Sequence, residues 1–266
     1  MKEIISGVQV NIPFRMLTEG YLSRFLDLGL NPEIGVDADA LDHFSFDEFK
    51  QVAVQFHERN LSVTVHGPFM DLTPASPDPD IVAVTEKRFD QLFRILPALS
   101  PRNLVTHAGY DPRRHFFMAD VWLARSLVFF KKAAKRLQDL DCRLMLENVF
   151  EEKPEDMMPL FRGIDSSNAG ICLDVGHMNA LGTVGMDHWL SVLGDHIGEI
   201  HLHDNHGDRD SHLPMGQGTI DFKRLFRFIQ ERKPILTLEP HHEEDLYGSL
   251  EFLSSNFSRY FHCKME

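Results

Sequence analysis

The stretch Glu199–Gly218, EIHLHDNHGDRDSHLPMGQG, decides how the rest of the chain is read. It begins with strand alternation, Ile200 and Leu202 set against His201 and His203, and then opens into a polar loop ending in Gly216-Gln217-Gly218. His201, His203, His206 and His212 are interleaved there with Glu199, Asp204, Asp208 and Asp210. Ionisable groups at this density cost free energy when buried unless they are paired or bound to a metal. A strand that ends in His and Asp and gives way to a loop is how an α/β barrel presents a metal site. A solvated, histidine-rich surface loop is the structural alternative. The flanking segments choose between the two.

Working outward, apolar β-branched runs alternate with segments of helical periodicity eight times. Strands are expected at Ile4–Ile12, Pro32–Asp37, Ser62–His66, Asn103–His107, Arg143–Glu147, Gly170–Asp174, Gly198–His203 and Ile235–Glu239. Helices fall between them at Thr18–Leu28, Ser45–Glu58, Pro79–Leu96, His115–Leu137, Pro154–Arg162, Met186–Leu193 and Phe222–Gln230, with a last one at Glu243–Arg259. Ser45 with Glu48 three residues on reads as a capping box. Strands alternating with helices give a parallel sheet. Eight repeats in 266 residues argue for closure into a (β/α)8 TIM barrel of the α/β class. No composition shift or linker interrupts the series, so residues 1–266 read as a single domain.

A hydrophobic content of 43% with 25% charged residues is that of a soluble globular protein. The net charge, 27 − 40 = −13, disfavours a broad basic surface, so nucleic acid and anionic membrane are unfavoured partners. No run approaches 18 apolar residues, and no membrane span is expected. Cys142, Cys172 and Cys263 form no CxxC pattern, and their odd number suits a reducing compartment. The start, MKEIISGVQVNIPFR, lacks an uninterrupted apolar stretch and a small-residue cleavage site. A cytoplasmic protein is expected, and association into a homo-oligomer stays open.

The polar residues at the carboxyl ends of six successive strands are His66, His107, Glu147, Asp174, His201 and Glu239, spaced by 41, 40, 27, 27 and 38 residues. Each spacing is the length of one βα unit, so all six converge on one mouth of a barrel, where active sites of this architecture lie. A lone histidine at a strand end is compatible with a satisfied core role. Glu147 in LMLEN and Glu239 in LTLEP each follow an apolar run, and a carboxylate there needs a cation or a partner. In ICLDVGH, Gly176 lets the backbone turn so that Asp174 and His177 face one point. Glu147, Asp174, His201 and Glu239 make a carboxylate-rich set suited to Mn²⁺, Mg²⁺ or Co²⁺, with Zn²⁺ also accommodated. His66, His107, His177, Asp210 and His212 supply a softer, nitrogen-rich region better suited to Zn²⁺.

At these residues the chain resembles the xylose isomerase-like TIM barrel superfamily, which spans sugar and sugar-phosphate isomerases and epimerases and the endonuclease IV-type AP endonucleases. The resemblance runs through VHGPF (Val65–Phe69), THAG (Thr106–Gly109), LEN (Leu146–Asn148), CLDVGH (Cys172–His177), HLHDN (His201–Asn205), GQG and LEP (Leu238–Pro240). The ketose epimerase pattern implies that Glu147, Asp174, His201 and Glu239 hold one divalent ion, with Glu147 and Glu239 as the acid–base pair. The endonuclease pattern implies up to three zinc ions on His66, His107, Glu147, Asp174, His177, His201, Asp210, His212 and Glu239. Of the two histidines in HLH, His201 is the better match, because the aspartate of the motif then falls on Asp204. His203 becomes a second-layer or substrate contact. Gly216-Gln217-Gly218 departs from the endonuclease-like Gly-Glu-Gly, and no residue matches the side chains such enzymes insert into DNA. HGPF, HAGYDP and GQG look more like the sugar-directed members.

The resemblance therefore implies a metal-dependent sugar or sugar-phosphate isomerase or epimerase, working through an enediolate stabilised by the ion. Phe69, Trp122 or Phe150 would wall its pocket, and Arg113, Arg114 or Arg209 would meet a phosphate, although core packing and solvated surface are the commoner fates of such residues. The alternatives are a zinc phosphodiesterase acting on abasic DNA and a non-catalytic metal- or sugar-binding barrel.

Overall fold

Eight parallel strands close on themselves in the computed structural model, which describes residues 1–262. They are β1 Gln9–Pro13, β2 Asn31–Gly35, β3 Thr64–His66, β4 Asn103–His107, β5 Arg143–Glu147, β6 Ala169–Asp174, β7 Ile197–Leu202 and β8 Ile235–Leu238. Each strand pairs with the next in the chain, and β8 returns to β1 through Gln9 with Thr237 and Val10 with Leu238. Closure leaves no strand edge to solvent, so the backbone ladders are satisfied all the way round.

Alternation along each strand separates two cores. Leu144 and Leu146, Ile171 and Leu173, and Ile200 and Leu202 belong to the large apolar cluster shared with the surrounding helices, where Leu96, Phe130 and Trp189 are fully buried. Truncating one such leucine to alanine costs about 2–5 kcal/mol by the usual cavity argument. Val105, Met145 and Cys172, with the opposite parity, form a separate small cluster that plugs the barrel. Two residues further along the same strands stand His107, Glu147 and Asp174. A period of two therefore carries them inward and up to the mouth.

The plug is partly polar. Asn103 Nδ2 donates to Glu199 Oε2 at 2.7 Å and Thr237 Oγ1 donates to Glu199 Oε1 at 2.8 Å. Burial, reinforced by nearby Glu33, pushes the Glu199 carboxyl up to about 8. A carboxylic acid kept neutral in this way can stay in a dry interior at modest cost.

The expected helices form with their local signals in place. Phe46–His57 carries the Ser45/Glu48 capping box, and Pro79–Leu99 opens on Pro79 with Asp78 as its cap. Several segments depart from the expectation: the helix expected at His115–Leu137 is split into Pro112–His115 and Ala119–Gln138, and the one expected at Thr18–Leu28 is kinked at Gly20. Ile4–Ile12 is not one strand: Lys2–Ile5 is a helical turn that buries Ile4, and the strand starts only at Gln9. Gly7 lies against the Phe261 ring, so the chain turns there instead of extending. Short helices at Ala38–His43 and Val175–Leu181, to which the sequence assigned no element, are capped by the side chains of Asp37 and Asp174. Among the described residues no helix is long and apolar enough to cross a membrane.

Candidate active site

Glu147, the last residue of β5, is buried at the centre of the mouth, and its two oxygens face different neighbours. Oε2 lies 2.9 Å from His66 Nε2 and 3.4 Å from His107 Nε2. Oε1 lies 3.3 Å from His201 Nδ1 and 3.5 Å from His177 Nδ1. His201 Nδ1 is also 3.0 Å from Glu239 Oε1 and 3.8 Å from Asp174 Oδ2. Further out, Asp210 Oδ2 is 3.2 Å from His177 Nε2 and 3.1 Å from His212 Nε2. All nine residues named as ligands from the sequence thus share one connected cluster. Within each of its candidate groups, the donor atoms lie within 4.8 Å of one another.

Neighbouring residues hold these side chains in place. Asn148 clamps the start of the short helix after β6, accepting from Asp174 N at 2.9 Å and donating to the Asp174 carbonyl at 3.0 Å. His203 is buried beside it, its Nε2 3.1 Å from both Asp174 oxygens, and it also belongs to two of the candidate donor groups, with His177, Asp210 and His212 and with Asp174 and Glu239. Its ring fits only because residue 176 is glycine: a Cβ there would run into the imidazole. The Asp204 carboxylate accepts from the backbone N–H groups of Gly216 (3.0 Å), Gly218 (2.9 Å) and Ile220 (3.2 Å), which folds the GQG loop back against β7. Gly218 lies against Asp204 and Asn205 with no room for a Cβ. His212 holds a left-handed φ of 47°, a conformation that costs of order 1–3 kcal/mol and is commonest at functional sites.

Charge follows the same geometry. Burial opposes a charged His66, but the Glu147 hydrogen bond prevails and raises it to about 9. His212 reaches about 9 against its own burial through Asp210. Burial dominates at His107 and pushes it down to about 3. The same burial would raise Glu147 and Asp174, yet the surrounding imidazoles hold Glu147 well below the usual carboxylate range and Asp174 at about 2. The mouth therefore sets charged His66 and His212 against ionised Glu147 and Asp174, with a neutral His107 among them.

That donor set fits a divalent cation. His201 is fully buried, yet neither of its ring nitrogens has a hydrogen-bond partner, and His203 Nδ1 is likewise unpaired. Buried imidazole nitrogens aimed at carboxylates without bonding them are what metal coordination satisfies. An ion held at about 2.0–2.2 Å by each donor spaces neighbouring donors by roughly 3–4 Å, close to the separations above.

The sequence reading missed Glu33. It lies within β2, fully buried, with its Oε1 3.3 Å from His201 Nε2 and accepting from Asn11 Nδ2 at 2.9 Å. Its signal was a lone carboxylate between Pro32 and Ile34 in the strand NPEIG. The proposed pocket residues divide. Phe69 and Phe150 line a cavity of about 1700 Å³ above the cluster, whereas Trp122 is buried against Tyr110. Arg113 and Arg114 are engaged by Asp111. Arg209 sits on the exposed loop beside Ser211, outside the cavity wall.

The profile of the xylose isomerase-like TIM barrel family matches residues 31–256. Among solved structures, a D-tagatose 3-epimerase-like protein superposes with a TM-score of 0.79 at 23% identity, covering 96% of this chain and 98% of its own. The TTHB071 protein of Thermus thermophilus, from a crystal soaked in ZnCl2, gives 0.77 at 25% identity, over 95% and 98% of the two chains. The uncharacterized protein MJ1311 of Methanocaldococcus jannaschii is 28% identical over 202 residues, 73% of this chain and 69% of that one.

Proposed function

This chain belongs to the xylose isomerase-like TIM barrel family, and on that premise we propose that it is a metal-dependent sugar isomerase or epimerase. The observation that carries the reading is the convergence of Glu147 and Glu239, from β5 and the end of β8, on His201 Nδ1 at 3.3 and 3.0 Å at the base of the cavity. Two carboxylates reaching one point from different strands can address a carbon from two directions. Glu147, Asp174, His201 and Glu239 would hold a divalent ion, which would supply positive charge for the oxygens of an enediolate. Glu147, kept ionised by its imidazole neighbours, takes the proton from carbon. Glu239, 12% exposed and bordering the cavity, returns a proton from its own side. His203 and Asn148 keep Asp174 oriented. Likeness to a D-tagatose 3-epimerase-like protein supports the same reaction class.

A second reading is favoured by one observation. Glu147 presents an oxygen to each of two imidazole groups, and His177, His203, Asp210 and His212 form a further group. That is the donor set of a three-zinc phosphodiesterase. Metal analysis separates the two: one Mn²⁺ or Mg²⁺ per chain supports the isomerase, three Zn²⁺ the nuclease. The decisive assay is solvent-deuterium incorporation at carbon over a panel of ketoses, with abasic-DNA nicking as control. Glu147→Gln is expected to abolish incorporation. Nicked DNA with no ketose exchanging would overturn the proposal, and exchange unaffected by Glu147→Gln would remove its assigned base.

A further inference from the structure

The cavity wall carries a preference that the metal-binding residues do not. At about 1700 Å³ the cavity exceeds the roughly 300–1,000 Å³ that suits one small ligand. Its ligand-bearing half comes from the ends of β3 to β8. The other half comes from the segments after β1 and β2 and from the helix Glu243–His262, and it is faced with large apolar side chains. Met16, Leu28 and Tyr247 line it while 39%, 43% and 48% exposed. Across the opening, Phe69 stacks on His107 with ring centroids 4.4 Å apart and leaves its free face to the cavity. Apolar surface left uncovered inside a concave site is surface that a ligand covers.

Charge narrows the ligand further. Among the described residues the wall contains two arginines and no lysine. Arg24 is paired with Glu243, and Arg114 with Asp111 at 3.4 Å. Seven carboxylates share the same wall. Charged imidazoles on the wall, His66 and His212, already face Glu147 at 2.9 Å and Asp210 at 3.1 Å, so a phosphate dianion would have to displace a carboxylate at both arginines and at both of these imidazoles.

We propose that the substrate is a neutral ketose bearing an apolar substituent, an alkyl or aryl ether at the end away from its carbonyl, and not a sugar phosphate. The sugar lies over Glu147 and Glu239, and the substituent lies against Met16, Leu28 and Tyr247. This rests on the reading of the cavity floor as a sugar site.

Calorimetric titration of the metal-loaded protein with four probes tests it: D-fructose, D-fructose 6-phosphate, and the methyl and phenyl ethers of D-fructose at the same terminal hydroxyl. The phenyl ether is expected to bind at least tenfold tighter than the methyl ether, and the phosphate no tighter than fructose. In Tyr247→Ala and in Leu28→Asn the phenyl-to-methyl ratio falls towards one. Phe116→Ala, which removes an exposed ring outside the cavity, leaves the ratio intact. Equal binding of the two ethers, tighter binding of the phosphate, or no binding of any probe overturns the proposal. None of these results alters the deuterium-exchange assay, whose failure instead removes the isomerase reading, so the two fail separately.

Discussion

Raising the pH on metal-stripped protein is expected to weaken it, because His66, His212, His177, His201 and Glu199 all hold a proton in the folded state that the unfolded chain gives up at lower pH. His66 is held at about 9 and His212 at about 9, against an ordinary value near 6.5. A group whose folded value is raised adds stability that is fully present below about 6.5 and is lost as the pH climbs through 9. For His66 the difference of about 2.5 units corresponds to about 3 kcal/mol, and His212 adds a similar amount discounted for its greater exposure. Glu147 and Asp174 are ionised in both states across this window and contribute no slope. His107, depressed to about 3, is neutral when folded and affects only the acid side of the window. For a chain of this size each 1 kcal/mol moves the melting temperature by roughly 2–4 °C, so His66 alone accounts for a fall of about 6–12 °C between pH 6.5 and 9.5. Differential scanning calorimetry of chelator-dialysed protein reads this directly. Metal-loaded protein is expected to show a much flatter profile, because a cation and not a proton then occupies the imidazole nitrogens. A melting temperature of the stripped protein that is constant or rising across the window would refute the charge assignment.

Two further outcomes follow from contacts around the cluster. Gly176→Ala forces a methyl group into the His203 ring. It is expected to reduce bound metal by elemental analysis, with a loss of about 1–3 kcal/mol in denaturant unfolding; full metal content would mean that His203 orients nothing. Asp204→Ala strips the acceptor from four backbone N–H groups of the loop after β7, those of Asn205, Gly216, Gly218 and Ile220. It should cost about 2–4 kcal/mol and accelerate proteolysis near residues 206–218, and an unchanged cleavage pattern would contradict the anchoring role.

Much of this arrangement was legible in the sequence because the strands announce their parity. Leu144, Met145, Leu146 and Glu147 alternate between two faces, and the next strand repeats the pattern in Ile171, Cys172, Leu173 and Asp174. The sign that this alternation ends at a functional rim was the carboxylate or imidazole itself. Glu33 escaped because it lies in mid-strand, where the residue type alone does not say whether it faces the helices or the barrel axis. The helix Lys2–Ile5 escaped because Glu-Ile-Ile suits a strand as well as a turn, and the choice belongs to the C-terminal helix it packs against. The short helix Val175–Leu181 was hidden by its glycine, which reads as a loop former, while its Asp174 cap was read only as a ligand. No local pattern states that His203 must share its space with Gly176.

The strict in–out alternation has a consequence for change. A single residue inserted or deleted within β5, β6 or β7 would swing Glu147, Asp174 or His201 round to the helix layer and out of the cluster. The same edit in the connecting segments, which already vary from 27 to 41 residues between one rim position and the next, leaves every such residue where it was. A lineage built on this cylinder can therefore remodel what it admits by altering linker length, while its reactive rim stays locked to the weave beneath it.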